Sequence, residues 1–144
     1  MKNYKETIAN FLKIEVKDLQ GENYDHWGLE VYNGYAVGDE EEVKKAVSEH
    51  IKETVWAFNS KFLQEMTDIP QEAFAAMQDK CERANDPILQ IIEKTCGIED
   101  FIESAINSDG RGHFLASYDG REMKDYFKSE MDGKKYPLYF YRID

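Results

Sequence analysis

The residues best suited to do chemistry lie in one short stretch, Ser108-Asp109-Gly110-Arg111-Gly112-His113. An imidazole titrates near neutral pH and serves as a general base or a metal ligand. With Asp109, Arg111 and Asp119 close in sequence, the stretch allows a small metal-dependent hydrolase centred on His113. The same residues also suit a tight turn, in which Asp109 and Gly110 meet backbone demands. The other two histidines offer less. His50 has Glu49 beside it and Glu53 three residues on, which is not the H-E-x-x-H spacing that sets two ligands on one helix face. His26-Trp27, ahead of a hairpin, reads as packing. Cys81 and Cys96 form neither a disulfide framework nor a zinc site; Cys81 fits an apolar helical stripe, and Cys96 ends a helix just before Gly97. There is no P-loop, dinucleotide fingerprint or nucleophile elbow. Apart from His113 the sequence offers no catalytic residue, and it implies no metal and no cofactor.

The longest element expected is a helix over residues 39–66. Val43, Val47, Ile51, Thr54, Val55, Phe58, Phe62 and Met66 recur at steps of three and four, which sets them on one stripe. Asp39 is placed to cap the first turn, Glu40 to Glu42 meet the positive end of the dipole, and the run holds no Gly or Pro. Such a helix would be roughly 40 Å long. Trp56 and Leu63 lie seven residues apart and nearly opposite the stripe, so their face is either covered inside the fold or offered to a partner.

Around this helix the chain predicts smaller elements. Residues 2–13 form a short amphipathic helix and 13–23 a loop. Leu29, Val31, Tyr35 and Val37 flank Asn33-Gly34, which suits a two-residue type I′ turn with Tyr32 and Tyr35 opposed. Pro70, Asp86-Pro87 and Gly97 punctuate three further helices into a cluster over 70–107. His113 to Tyr118 reads as a strand, residues 121–131 as a helix carrying Met123, Tyr126, Phe127 and Met131, and Tyr136 to Ile143 as a last strand. The expected fold is α+β in a single domain, residues 1–144. A small, mainly antiparallel sheet from 28–32, 35–38, 113–118 and 137–143 packs on the long helix, beside the helical cluster.

Charge narrows the partners. The net charge of −11 opposes unassisted binding to nucleic acid or to an anionic membrane. It also opposes base stacking on Tyr136, Tyr139 and Tyr141. Residues 67–107 carry nine acidic groups against three basic, whereas 108–144 carry seven of each. The helical cluster is the acidic pole, and Asp79, Glu82, Glu93 and Glu103 are its candidate partner-binding residues, with Trp56 and Leu63 as the candidate apolar patch. The natural partner is a host or foreign protein that is basic or handles nucleic acid. The first residues contain no long apolar run, so neither a signal peptide nor a membrane anchor is expected, and the cytoplasm of a host cell is the expected compartment.

The blocks YAVGDEEE, IKETVWAFNSKF, SDGRGHFLASYDG and YFYRID resemble a group of small acidic proteins encoded by bacteriophages and prophages. The resemblance covers residues 35–62, 108–120 and 139–144, with 121–135 as an elaboration in this chain. It implies a genomic setting and carries over no site residue. In that setting the sequence suggests a non-enzymatic inhibitor of a host defence nuclease or nucleic-acid-guided complex, of the anti-CRISPR or anti-restriction type. An immunity protein that neutralises a basic toxin, or the hydrolase centred on His113, is the alternative.

Overall fold

Asn33 and Gly34 take φ of 49° and 82°, the left-handed pair that a type I′ turn requires. They join strands β2 (Leu29–Tyr32) and β3 (Tyr35–Asp39), and Tyr32 opposes Tyr35 as the spacing predicted. The computed structural model describes residues 4–144. It divides into two compact units: residues up to Val47 together with Arg111–Asp144, and Ser48–Gly110.

The first unit is built on a five-stranded antiparallel sheet of order β1-β2-β3-β5-β4, where β1 is Gly21–His26, β4 Met123–Lys128 and β5 Lys135–Arg142. Strands from the two ends of the sequence meet at its centre, with Ala36 opposite Tyr141 and Val37 opposite Phe140. One face buries Val37, Leu138 and Phe140 against Ile8 of α1 (Lys5–Leu12), with Phe11 edge-on to Phe140. Leu29, Val31, Ala36 and Tyr141 are buried on the other face. The α+β class therefore holds.

The expected long helix does not run unbroken. The second helix, α2 (Glu40–Thr54), starts as predicted: Asp39 Oδ1 accepts from the Glu42 amide at 2.9 Å, and Glu42 Oε1 accepts from the Asp39 amide at 3.0 Å. This reciprocal box satisfies two orphan donors at once. The helix gives way to a 3₁₀ turn at Val55–Ala57, Phe58 is extended, and α3 (Ser60–Thr67) begins afresh. Asn59 caps α3, its Oδ1 accepting from the amides of Lys61 and Phe62. Asn85 secures the break, accepting from the Trp56 amide at 3.2 Å and donating to the Lys52 carbonyl at 2.8 Å. Those bonds give the freed backbone groups partners that an uninterrupted helix would have supplied itself.

The rest of the second unit is helical: α4 (Gln71–Gln78), a 3₁₀ turn at Cys81–Ala84, α5 (Asn85–Lys94) and α6 (Ile98–Asp109). Phe74, Ile88, Ile92, Phe101 and Ala105 are buried, and Phe101 meets both Phe58 and Phe62. Cys81, expected on an apolar stripe, is exposed instead: it sits at φ 54°, where the chain leaves the α4 path.

Three further expectations are corrected in the first unit. Residues 113–118 are not a strand; α7 (Arg111–Leu115) and a turn replace it. Phe114, Leu115 and Ala116 are buried in succession, a pattern that a half-exposed strand cannot give. Gly112 is required there, since a Cβ on it would come within 2.5 Å of the Gly120 carbonyl oxygen. Residues 121–131 are not a helix; β4 occupies 123–128. Met123 and Phe127 are four apart, a step common to the helical and the strand period, and pairing with β5 decides between them. β1, whose first three residues fall in the stretch read as loop, is an edge strand with five of its six residues exposed, so it lacks the alternation that marks a half-buried strand. On the other edge, the Tyr126 amide is held by the Asp125 carboxylate at 2.8 Å.

Candidate interaction surface

The acidic side chains singled out in the sequence all reach solvent. Asp79 caps the C-terminal end of α4, Glu82 lies in the 3₁₀ turn, Glu93 in the last turn of α5, and Glu103 in the middle of α6. They are outside because each helix buries a narrow stripe and leaves its remaining circumference exposed. The unit Ser48–Gly110 carries thirteen acidic residues against five Lys and Arg, a net of −8; the rest of the chain carries sixteen against thirteen, a net of −3. Among the described residues none of the thirteen carboxylates is in an ion pair; the ion pairs there, Lys17–Glu15, Arg111–Glu40 and Arg111–Glu122, all lie in the other unit. Glu72, Asp86, Glu99 and Asp100 occupy first turns, where the dipole favours them. Glu93 sits at the unfavourable end.

Trp56 and Leu63 do not share a face. The helix breaks between them, leaving Leu63 fully buried and Trp56 half-buried in the 3₁₀ turn.

His113 lies in α7. Its imidazole is exposed, and its recorded neighbour is the edge-on ring of Phe114 at 5.0 Å. Asp119 accepts from the Arg121 amide, so its carboxylate serves a turn. Among the described residues no group of three His, Cys, Asp or Glu side chains is arranged to hold a metal ion. The residue at the centre is Arg111. Its guanidinium donates to Glu40 at 2.9 Å and to Glu122 at 2.8 Å, and lies over the Tyr139 ring at 4.6 Å. The buried Tyr141 hydroxyl donates to Glu122 as well.

This arrangement shifts Tyr141, Arg111 and Glu40. Burial, followed by the Glu122 hydrogen bond, raises the Tyr141 phenol. Burial alone would lower Arg111 and raise Glu40, but their hydrogen bond and opposite charges win, lifting the guanidinium and depressing the carboxyl. These directions favour the charged forms of Arg111 and Glu40 and the neutral phenol of Tyr141, so the three are held together as an ion pair and a donor. No local pattern announces it, since Glu40 is 71 residues from Arg111.

His26 is buried as expected for packing. Its Nε2 lies 2.7 Å from the Leu115 carbonyl oxygen, and its Nδ1 is buried without a partner among the described residues. His50 lies on α2, where its carbonyl accepts from the Thr54 hydroxyl.

Comparison with family models, curated proteins and solved structures returns no match to this chain. Among the described residues, no helix is long and apolar enough to cross a membrane.

Proposed function

We propose that the protein is a non-enzymatic binder that engages a basic, nucleic-acid-handling protein through the carboxylates of Ser48–Gly110. In the phage setting that its sequence resembles, such a binder is an inhibitor of a defence nuclease or a nucleic-acid-guided complex, acting in the host cytoplasm. The observation that carries the reading is the excess of thirteen acidic residues over five basic ones in that unit, with no carboxylate of the unit neutralised by an ion pair among the described residues. Lysines and arginines that ordinarily hold phosphates find in it a comparable density of negative charge. A single exposed pair contributes only about 0–1 kcal/mol, so recognition is spread over many carboxylates and shows mostly in the association rate. Glu93 fits this reading, because its place at the negative end of α5 costs local stability.

The test is kinetic. A target recovered by affinity capture from infected-cell lysate is immobilised, and association is timed at low and high salt. The proteins compared are the wild type and the variant Asp79→Asn/Glu82→Gln/Glu93→Gln/Glu103→Gln. Association should slow with salt and with the substitutions, and the target's own nucleic acid should compete. Equal association rates in all four cases refute the acidic surface as the recognition element.

A further inference from the structure

We propose a second binding surface, for single-stranded nucleic acid, on the exposed face of the β4–β5 hairpin. The reading is independent of the carboxylate surface. Lys124, Tyr126 and Lys128 alternate along β4 and point to one side, and all three are exposed. Directly across the hairpin on that side, Lys128 faces Lys135 and Tyr126 faces Pro137. The Lys124 ammonium lies 5.6 Å from the centre of the Tyr126 ring, which is 50% exposed.

Two features separate this face from an ordinary solvated one. Lys128 and Lys135 are like charges in direct cross-strand register, an unfavourable pairing. In a chain with 29 acidic residues, none of the three ammoniums has an ion-pair partner among the described residues. Lysine on an edge strand often serves only to discourage other strands. That accounts for lysines here, including Lys135 where β5 has run past the end of β3, but not for their like-charge register nor for the aromatic ring set between them.

An anionic ligand removes the repulsion, and the tyrosine specifies which anion. Lys124 and Lys128 are roughly 13 Å apart along the strand, with Tyr126 midway. A flexible single strand presents phosphates to the ammoniums and a base to the ring, the pairing of charge and stacking that sequence-tolerant single-strand binders use. An acidic peptide would satisfy the lysines and leave the ring unused, and a duplex keeps its base faces stacked away. Net charge argues against nucleic acid only at long range. Screening limits it to about 8 Å at physiological salt, and the unit that contains the hairpin is close to neutral, sixteen acidic residues against thirteen basic.

Anisotropy of a fluorescein-labelled oligothymidine, titrated with the full-length chain, tests the proposal. Binding is expected at ~20 mM salt and should weaken about a hundredfold by ~200 mM, because three lysine contacts on a single strand give a log–log slope of about −2. Lys124→Gln/Lys128→Gln/Lys135→Gln should remove both the binding and the salt slope. Tyr126→Leu should weaken binding about fivefold or more, while Tyr126→Trp should bind at least as tightly as wild type. Thermal melts establish that each variant is folded, and should Tyr126→Leu not fold, Tyr126→Trp carries the test of the ring. The quadruple carboxylate variant of the helical unit should bind the oligonucleotide no more weakly than wild type, which keeps the two surfaces separable. The proposal is overturned if folded wild type shows no binding at low salt. It is equally overturned if the lysine variant binds as wild type does, or if an oligoglutamate of equal charge competes as well as unlabelled oligothymidine.

Discussion

The interruption at residues 55–59 rests on two asparagines, and replacing them gives effects whose sign is diagnostic. Asn85→Ala removes two hydrogen bonds, to the Trp56 amide and the Lys52 carbonyl, both partly buried. Each such bond contributes about 0.5–1.5 kcal/mol net, so the variant should lose about 1–3 kcal/mol. Asn59→Ala removes the cap on the Lys61 and Phe62 amides and should cost about 0.5–2 kcal/mol. Alanine is the better helix former, so if residues 39–66 were one continuous helix, Asn59→Ala would stabilise it by up to about 0.7 kcal/mol and Asn85→Ala would be close to neutral. Urea denaturation, followed by far-ultraviolet circular dichroism and by tryptophan fluorescence, measures both. The midpoint should fall for each variant with the slope unchanged, which marks a loss of stability rather than a change in exposed surface. A midpoint that holds or rises in both variants would refute the interrupted helix.

Other consequences follow from burial and topology. Leu63→Ala, at a fully buried position, should cost about 2–5 kcal/mol, whereas Trp56→Ala, only half-buried, should cost about 1–2 kcal/mol; equal losses in thermal denaturation would contradict the separation of the two side chains. His26 should make stability acid-sensitive. Burial lowers its folded pKa below the ordinary 6.5, so its contribution is fully present above about pH 6.5 and is lost as pH falls through the folded value. Urea midpoints at about pH 7.5 and about pH 5 should therefore differ by more in wild type than in His26→Gln, and an unchanged difference would discount the residue. Because β3 pairs with β5 and the sheet draws on both ends of the sequence, unfolding should occur in one transition seen alike by all probes. A folded 48–110 fragment surviving limited proteolysis would show two independently folding units instead.

What the sequence disclosed and what it withheld have physical causes. The Asn33-Gly34 hairpin, the Asp39 cap and the Pro- and Gly-bounded helices were readable because each is specified by residues only a few positions apart. The break after Thr54 was not, since Asn85, which stabilises it, is 29 residues from the amide it accepts. The same holds for Arg111, whose partner Glu40 belongs to another part of the chain. At residues 123–128 the pattern was present but degenerate: the Met123–Phe127 step satisfies both periods. Reading a helix there set Tyr126 on the side opposite Lys124 and Lys128, and only the strand aligns all three. The acidic candidates were legible as exposed groups because a solvated carboxylate needs no distant partner.

The hydrogen bond from the Tyr126 amide to the Asp125 carboxylate bears on how the protein behaves at high concentration. An open sheet ends in strands whose unpaired amides and carbonyls can template a strand from another molecule, the first step toward aggregation. At Tyr126 on β4 that amide is already taken by the neighbouring side chain, and a strand arriving from outside would have to displace a carboxylate to pair there. β1, at the other edge, is irregular in register between Glu22 and His26 and carries Glu22 and Asp25 in the open. Both margins of the sheet thus carry a local obstacle to intermolecular strand pairing, one an occupied amide and the other a break in register.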